Sequence, residues 1–174
     1  MVVHPGASVP ARAWPPERNA ALVRELAAAG RRVVVTGGPS ERGLTGVVAG
    51  ASPVGVTDLG GRTSFPALAG VIADADCIVV GNTGPAHLAA AVGTPVVAPF
   101  APTVPAVRWR PWGVDHELLR RNVPCAGCRA RVCPVPGHPC LSGVGESEVL
   151  AAVERLAPAR RPDPSRARAT ELAA

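Results

Sequence analysis

Residues 76–100, "DCIVVGNTGPAHLAAAVGTPVVAPF", decide the fold. "CIVV" and "PVVAPF" are short apolar runs without alternation, the pattern of strands covered on both faces. Between them "PAHLAAAV" reads as a short helix that stops at Gly93. A strand, a helix and a second strand in so short a span form a βαβ unit with parallel strands. The loop "GNTG" opens directly into the helix. Pro85 suits a first helical turn, where no backbone donor is lost. Gly84 lets the backbone come close to an anion, and the free N–H groups and dipole of a helix start favour negative charge. Thr83 adds a hydroxyl and His87 an imidazole, which makes a cradle for a diphosphate without a Walker lysine. Taken alone, the loop reads equally well as an ordinary strand-to-helix turn with His87 in the core.

The pattern continues on the N-terminal side. "MVVHPG" reads as a strand ending at Pro5-Gly6, and "PPERNAALVRELAAAG" as a helix with prolines in its first turn and Gly30 as its stop. Its apolar stripe runs through Ala21, Leu22, Leu26 and Ala29. "RRVVVTGG" is a strand and a glycine turn, followed by a helix capped by Ser40 and running to about Ala49. "VGVTDL" is a third strand, and "SFPALAGVIADA" a helix with Ser64 as its cap. Strands alternating with short helices predict an α/β fold, a Rossmann-like doubly wound parallel sheet. In such a sheet, ligands sit outside the carboxyl ends of the strands. Four loops then share one edge. They carry Ser8 and Arg12, Glu41, Arg62 and Thr63, and Asn82 to His87. Individually, Arg12 reads as a solvated surface charge, Glu41 as an acid favoured by a helix dipole, and Trp14 as core. Their convergence on one edge raises the case for a ligand site.

Beyond Phe100 the pattern breaks into a proline-rich irregular segment. A cysteine-rich insertion follows at 125–140, and "SEVLAAVERL" restores a helix starting near Ser142 or Ser147. One domain is expected over residues 1–156, with a disordered tail over 157–174. The hydrophobic fraction of 47% is too high for global disorder. The net charge of +5 is carried by arginines alone, without a lysine, and these are scattered along the chain. That argues against a nucleic-acid surface. No apolar run is long enough for a membrane span, and no signal peptide is visible, so a cytoplasmic protein is expected.

Cys125, Cys128, Cys133 and Cys140 are spaced C-x2-C-x4-C-x6-C, with His138 among them. Paired thiolates can close a tetrahedral structural zinc site. The spacing fits neither common zinc fingers nor ferredoxins, so a proline-pinned loop of reduced or partly paired thiols is the other reading. Cys77 is expected in the core.

"HPGASVPARAWPPE", "TGGPSE", "LGGRTSFPALAGVIADADCIVVGNTGPAHLAAAVGTPVVAPF" and the cysteine stretch ending "HPCL" resemble the C-terminal half of the heptosyltransferase family, glycosyltransferase family 9. The resemblance implies a GT-B enzyme of two Rossmann-like domains, whose C-terminal domain binds the nucleotide-diphospho-sugar donor in lipopolysaccharide core biosynthesis. By this similarity Asn82, Thr83, Gly84 and His87 correspond to the diphosphate loop. Arg12 replaces a phosphate-contacting lysine, and Ser8 shares its loop. Glu41 falls near the nucleotide ribose, and Thr63 near the base. The family usually has Asp at the position of Asn82. Its similar cysteines recur without an obligatory metal, and no cofactor is required.

The resemblance also implies that the acceptor site and the general base lie in an N-terminal domain that this chain lacks. No catalytic residue is therefore expected here. An inverting transfer needs a base for the acceptor hydroxyl and donors for the departing diphosphate, and this chain offers the second. The partners implied are the donor, a glycan or glycolipid acceptor, and a missing N-terminal domain or partner chain. The inner face of the membrane is the implied place of work. Two alternatives come from other classes: a non-catalytic nucleotide-binding or partner module, and a zinc-stabilised interaction domain.

Overall fold

The computed structural model describes residues 1–158; the rest of the expected tail, 159–174, lies outside the described residues. Six parallel strands form one sheet: β1 Val2–His4, β2 Val33–Val35, β3 Val56–Asp58, β4 Ile78–Val80, β5 Val96–Pro99 and β6 His116–Leu119. Their order is β3-β2-β1-β4-β5-β6, the doubly wound arrangement, and the direction of winding reverses between β1 and β4. The helices are α1 Pro16–Ala28, α2 Arg42–Ala49, α3 Phe65–Ala73, α4 Gly84–Ala91, α5 Ala106–Trp109, α6 Pro139–Ser142 and α7 Glu146–Leu156.

The apolar runs are buried on both faces, as their lack of alternation implies. Val3, Val79 and Val97 pack in one cluster with Leu22, Val23 and Leu26 of α1, Val48 of α2, and Val149 and Val153 of α7. Their strand neighbours Val2, Ile78, Val80 and Val96 point the other way. They meet Ile72 at the end of α3 and Ala86 and Ala89 of α4. Successive residues of one strand thus serve opposite helical layers. In α1 the buried stripe is Leu22, Val23 and Leu26, whereas Ala29 is exposed. Gly30 ends the helix at φ 76, a left-handed conformation that glycine adopts without strain. Trp14 is core, and its indole N–H donates to Val144 O at 3.0 Å. Cys77 packs in the core just before β4, where burial pushes its thiol up to about 12.

Two local expectations are corrected. Ser40 does not cap α2. It sits in a 3-10 turn over Pro39–Glu41, and the Glu41 carboxylate accepts the Gly38 N–H at 2.6 Å. α7 starts beside Ser147, as expected. The helix opens at Gly145, whose N–H donates to Glu148 Oε1 at 3.1 Å. The irregular stretch after Phe100 also contains a sixth strand: "HELL" pairs with β5 along its full length. Ser64 does cap α3, accepting from Ala67 N. Ala157 still packs in the core, and its carbonyl accepts from Arg31 Nη2 at 2.6 Å, so the packed body runs past Leu156.

Candidate functional site

The loops after β1, β2, β3 and β4 all leave the carboxyl edge of the sheet, and β1 and β4 are adjacent there. The contact between those two loops is close. A Cβ added to Gly81 would lie 2.6 Å from the carbonyl oxygen of Arg12, so the residue after β4 must be glycine for the β1 loop to reach it. The start of the β4 loop and Arg12 therefore lie side by side at the carboxyl edge. This is the reversal point at which doubly wound sheets hold ligands.

Two buried polar atoms at this edge have no partner. Arg12 Nε and Thr83 Oγ1 are both shielded from solvent and make no hydrogen bond. Buried donors are nearly always satisfied, so unpaired ones at a helix start point to a ligand. Thr83 is the N-cap residue of α4, and its side chain makes no capping bond. Arg12 is half-buried rather than solvated, and its guanidinium carbon lies 5.3 Å from the ring centre of Trp109. His87 is exposed and also lies beside Trp109, with ring centres 6.4 Å apart. A core role for His87 is thereby excluded.

Asn82 takes a different position. It is 3% exposed, and its amide is held by the β5 exit: Nδ2 donates to Ala101 O at 3.3 Å and Oδ1 accepts from Ala101 N at 3.2 Å. Its side chain clasps two loops together. Ser8 is exposed on the β1 loop. Thr63 is half-buried on the β3 loop, which is tied to the β2 loop by a bond from Gly61 N to Gly37 O. Arg62 on that loop is exposed.

Glu41 packs inward, against β1. A Cβ on Gly6 would collide with its carboxylate, at 1.9 Å from Oε1. Its Oε2 lies 3.9 Å from His4 Nε2, and His4 Nδ1 is 3.0 Å from Thr36 Oγ1. Burial holds the His4 imidazole below its ordinary value, with Glu41 pulling the other way. The unfolded chain takes up this proton first as pH falls. The stabilisation is thus complete above the unfolded value and is lost as pH drops through the folded one. His4→Gln is expected to flatten this decline, read as a smaller difference in denaturation free energy between about pH 7.5 and 5.

The cysteine-rich segment braces the site from behind through its backbone. Ala11 N donates to Arg131 O at 2.9 Å, Gly127 N to Pro102 O at 2.7 Å, and Arg129 N to Thr103 O at 2.9 Å. His138 Nε2 lies 3.1 Å from Ala11 O. Cys125, Cys128, Cys133 and Cys140 line one small apolar cavity with His138, Ala11 and Thr103. Burial and the neighbouring thiols raise the Cys140 thiol above its ordinary value. Among the described residues, however, no group of three or more His, Cys, Asp or Glu is placed to hold a metal ion. The residues as arranged do not fit the structural zinc that the spacing suggested.

Residues 1–138 match the profile of glycosyltransferase family 9 (heptosyltransferase). The chain belongs to glycosyltransferase family 9. Among curated members of the family it is 31% identical over 167 residues to lipopolysaccharide heptosyltransferase 3 of Escherichia coli, covering 91% of this chain and 47% of that protein. It thus spans about half the length of the curated relatives it matches. A family 9 glycosyltransferase from Veillonella parvula superposes with a TM-score of 0.77 at 21% identity, over 90% of this chain and 45% of that one. The E. coli heptosyltransferase WaaC, solved with ADP, matches with a TM-score of 0.65 at 25% identity, over 90% and 45%. These solved family 9 structures share the parallel α/β sheet described above, the GT-B heptosyltransferase architecture. Among the described residues no helix is long and apolar enough to cross a membrane.

Proposed function

We propose that this chain is the donor-binding half of a heptosyltransferase-like glycosyltransferase, holding a nucleotide-diphospho-sugar at the carboxyl edge of its sheet. The observation that carries this is the pair of unpartnered buried atoms, Arg12 Nε and Thr83 Oγ1, on touching loops at the start of α4. Arg12, Thr83, His87 and the amide of Gly84 receive the diphosphate. Asn82 acts as a positioning residue that fixes the loop to Ala101. Ser8 lies on the rim, and the loops bearing Glu41 and Thr63 extend the crevice towards the nucleoside. The occupant of the related WaaC structure, ADP, has the same chemistry.

In transfer, the sugar's anomeric bond to the diphosphate breaks while an acceptor hydroxyl attacks. The charge that develops on the leaving group is met by fixed donors, which stabilise it more than water does. The acceptor hydroxyl must lose a proton. The two carboxylates at this edge are already engaged by backbone donors: Glu41 accepts from Gly38 N, and Asp58, the last residue of β3, accepts at Oδ1 from Gly60 N at 2.8 Å. The base is therefore assigned to the acceptor-binding half, in the same polypeptide or a partner chain. The acceptor is a glycan or glycolipid of the cell envelope, met at the cytoplasmic face of the inner membrane.

Calorimetry with ADP and GDP tests this. Thr83→Val and His87→Ala are each expected to weaken binding about tenfold, the low end for the loss of one hydrogen bond to a charged group. Affinity indifferent to both changes would remove the reading. A non-catalytic nucleotide-binding module gives the same binding result. It separates when the chain is supplied with an acceptor-binding half and no transfer from a nucleotide-sugar follows.

A further inference from the structure

Trp109 ends α5, on the segment that follows β5, and is 41% exposed. Its ring meets the two long side chains of the diphosphate seat, Arg12 at 5.3 Å and His87 at 6.4 Å. Arg12 takes part in none of the ion pairs formed among the described residues, and its Nε has no hydrogen-bond partner. Five other basic side chains, those of His4, Arg18, Arg31, Arg121 and Arg155, are each set against a glutamate. The difference has an electrostatic consequence. A carboxylate partner would fix the guanidinium but cancel the charge that an anion needs. An indole face attracts the cation through its quadrupole, restrains it, and leaves its net charge and N–H edge intact.

We propose that Trp109 is a positioning residue for the diphosphate seat, holding Arg12 by stacking, with His87 against the same ring, so that the guanidinium is ordered and not neutralised. This rests on the donor-site reading above and deepens it. It also assigns a task to α5, which the core does not need: Ala106–Trp109 contains no buried residue.

The test uses the whole chain with three replacements, Trp109→Phe, Trp109→Ala and Trp109→Glu, and the probes ADP, inorganic pyrophosphate and adenosine. Trp109→Ala is expected to weaken ADP and pyrophosphate about three- to tenfold. Trp109→Phe should stay within about twofold, since the aromatic face remains. Trp109→Glu should be at least as weak as Trp109→Ala, because the new carboxylate orders Arg12 and discharges it. Adenosine affinity should not change in any of them. In the ligand-free protein, the Arg12 Nε–H resonance, assigned by its loss in Arg12→Lys, should carry a ring-current shift that persists in the Phe variant and vanishes in the Ala variant.

Wild-type protein that binds neither ADP nor pyrophosphate sinks the donor site and this role of Trp109 together. Wild-type binding with an unaffected Trp109→Ala sinks the role of Trp109 alone. So does a Trp109→Glu variant that binds better than Trp109→Ala, or an equal loss of adenosine affinity, which would mark a merely structural effect.

Discussion

Arg12→Ala is expected to raise the dissociation constant for ADP about 10- to 150-fold, the largest binding effect of any single replacement in the site. The figure follows from about 1.5–3 kcal/mol for a hydrogen-bonding group that acts on a charge. Partial shielding favours the upper half of that range, since Arg12 Nε is out of contact with solvent and no carboxylate screens it. Stability should change little, because the guanidinium makes no protein hydrogen bond that the replacement would break. The result therefore reads ligand contact separately from folding. Arg12→Lys should recover part of the affinity, since the charge returns without the planar fork and without a good stack on Trp109. Raised salt should narrow the gap between wild type and Arg12→Ala. Equal affinities in the two proteins would mean that the anion, if bound at all, sits elsewhere.

Asn82→Ala is expected to act on folding instead. The replacement leaves the N–H and C=O of Ala101, which is itself fully buried, without partners. A buried group left unpaired costs about 1–3 kcal/mol. Two such groups, partly relieved by water entering the space, suggest a loss of about 2–3 kcal/mol. For a chain of this size that lowers the melting temperature by roughly 4–12 °C. The clasp also fixes the start of α4 against the β5 exit, so ADP affinity should fall as the loop loosens. Asn82→Ser tests the split, because a hydroxyl can restore one of the two bonds. A melting temperature unchanged in Asn82→Ala would show that the clasp is dispensable.

The sequence carried the frame of the fold for identifiable reasons. β1, β2, β4 and β5 are valine- and isoleucine-rich runs ended near a glycine or proline, and burial leaves them almost without polar interruptions, whereas β3 at the sheet edge carries Thr57 and Asp58 and was legible mainly from its place between two helices. β6 offered no such signal. His116–Leu119 contains no β-branched residue, follows a proline-rich segment, and lies half-exposed at the sheet edge. The misplaced cap before α2 has an identifiable cause. At Gly38 a backbone N–H donates to Glu41 three residues on, and a glycine shows no side chain that would advertise the turn, whereas the neighbouring Ser40 does.

The site was legible as an edge and less so as a set of side chains. The βαβ order alone places Arg12 and the loop after β4 side by side. Which way a loop residue turns is settled by its neighbours, and so the bonds of Asn82 to Ala101 and of Glu41 to Gly38 N were not legible in the sequence. Trp109 could not be read at all. Nothing local ties residue 109 to residue 12; only the tertiary path after β5 brings them together. The cysteines drew attention as ligands, whereas their segment acts on the site through main-chain bonds that side-chain spacing does not encode.

The strand order has a consequence for how the protein is made. β1 sits in the middle of the sheet, with β2 on one side and β4 on the other. On the ribosome, Val2–His4 emerges long before Ile78–Val80, so one flank of this strand waits, unzipped and greasy, while three helices and two strands are still being translated. Such an interval invites pairing with a neighbouring nascent chain. Soluble yield is then expected to respond to the pace of synthesis and the supply of chaperones.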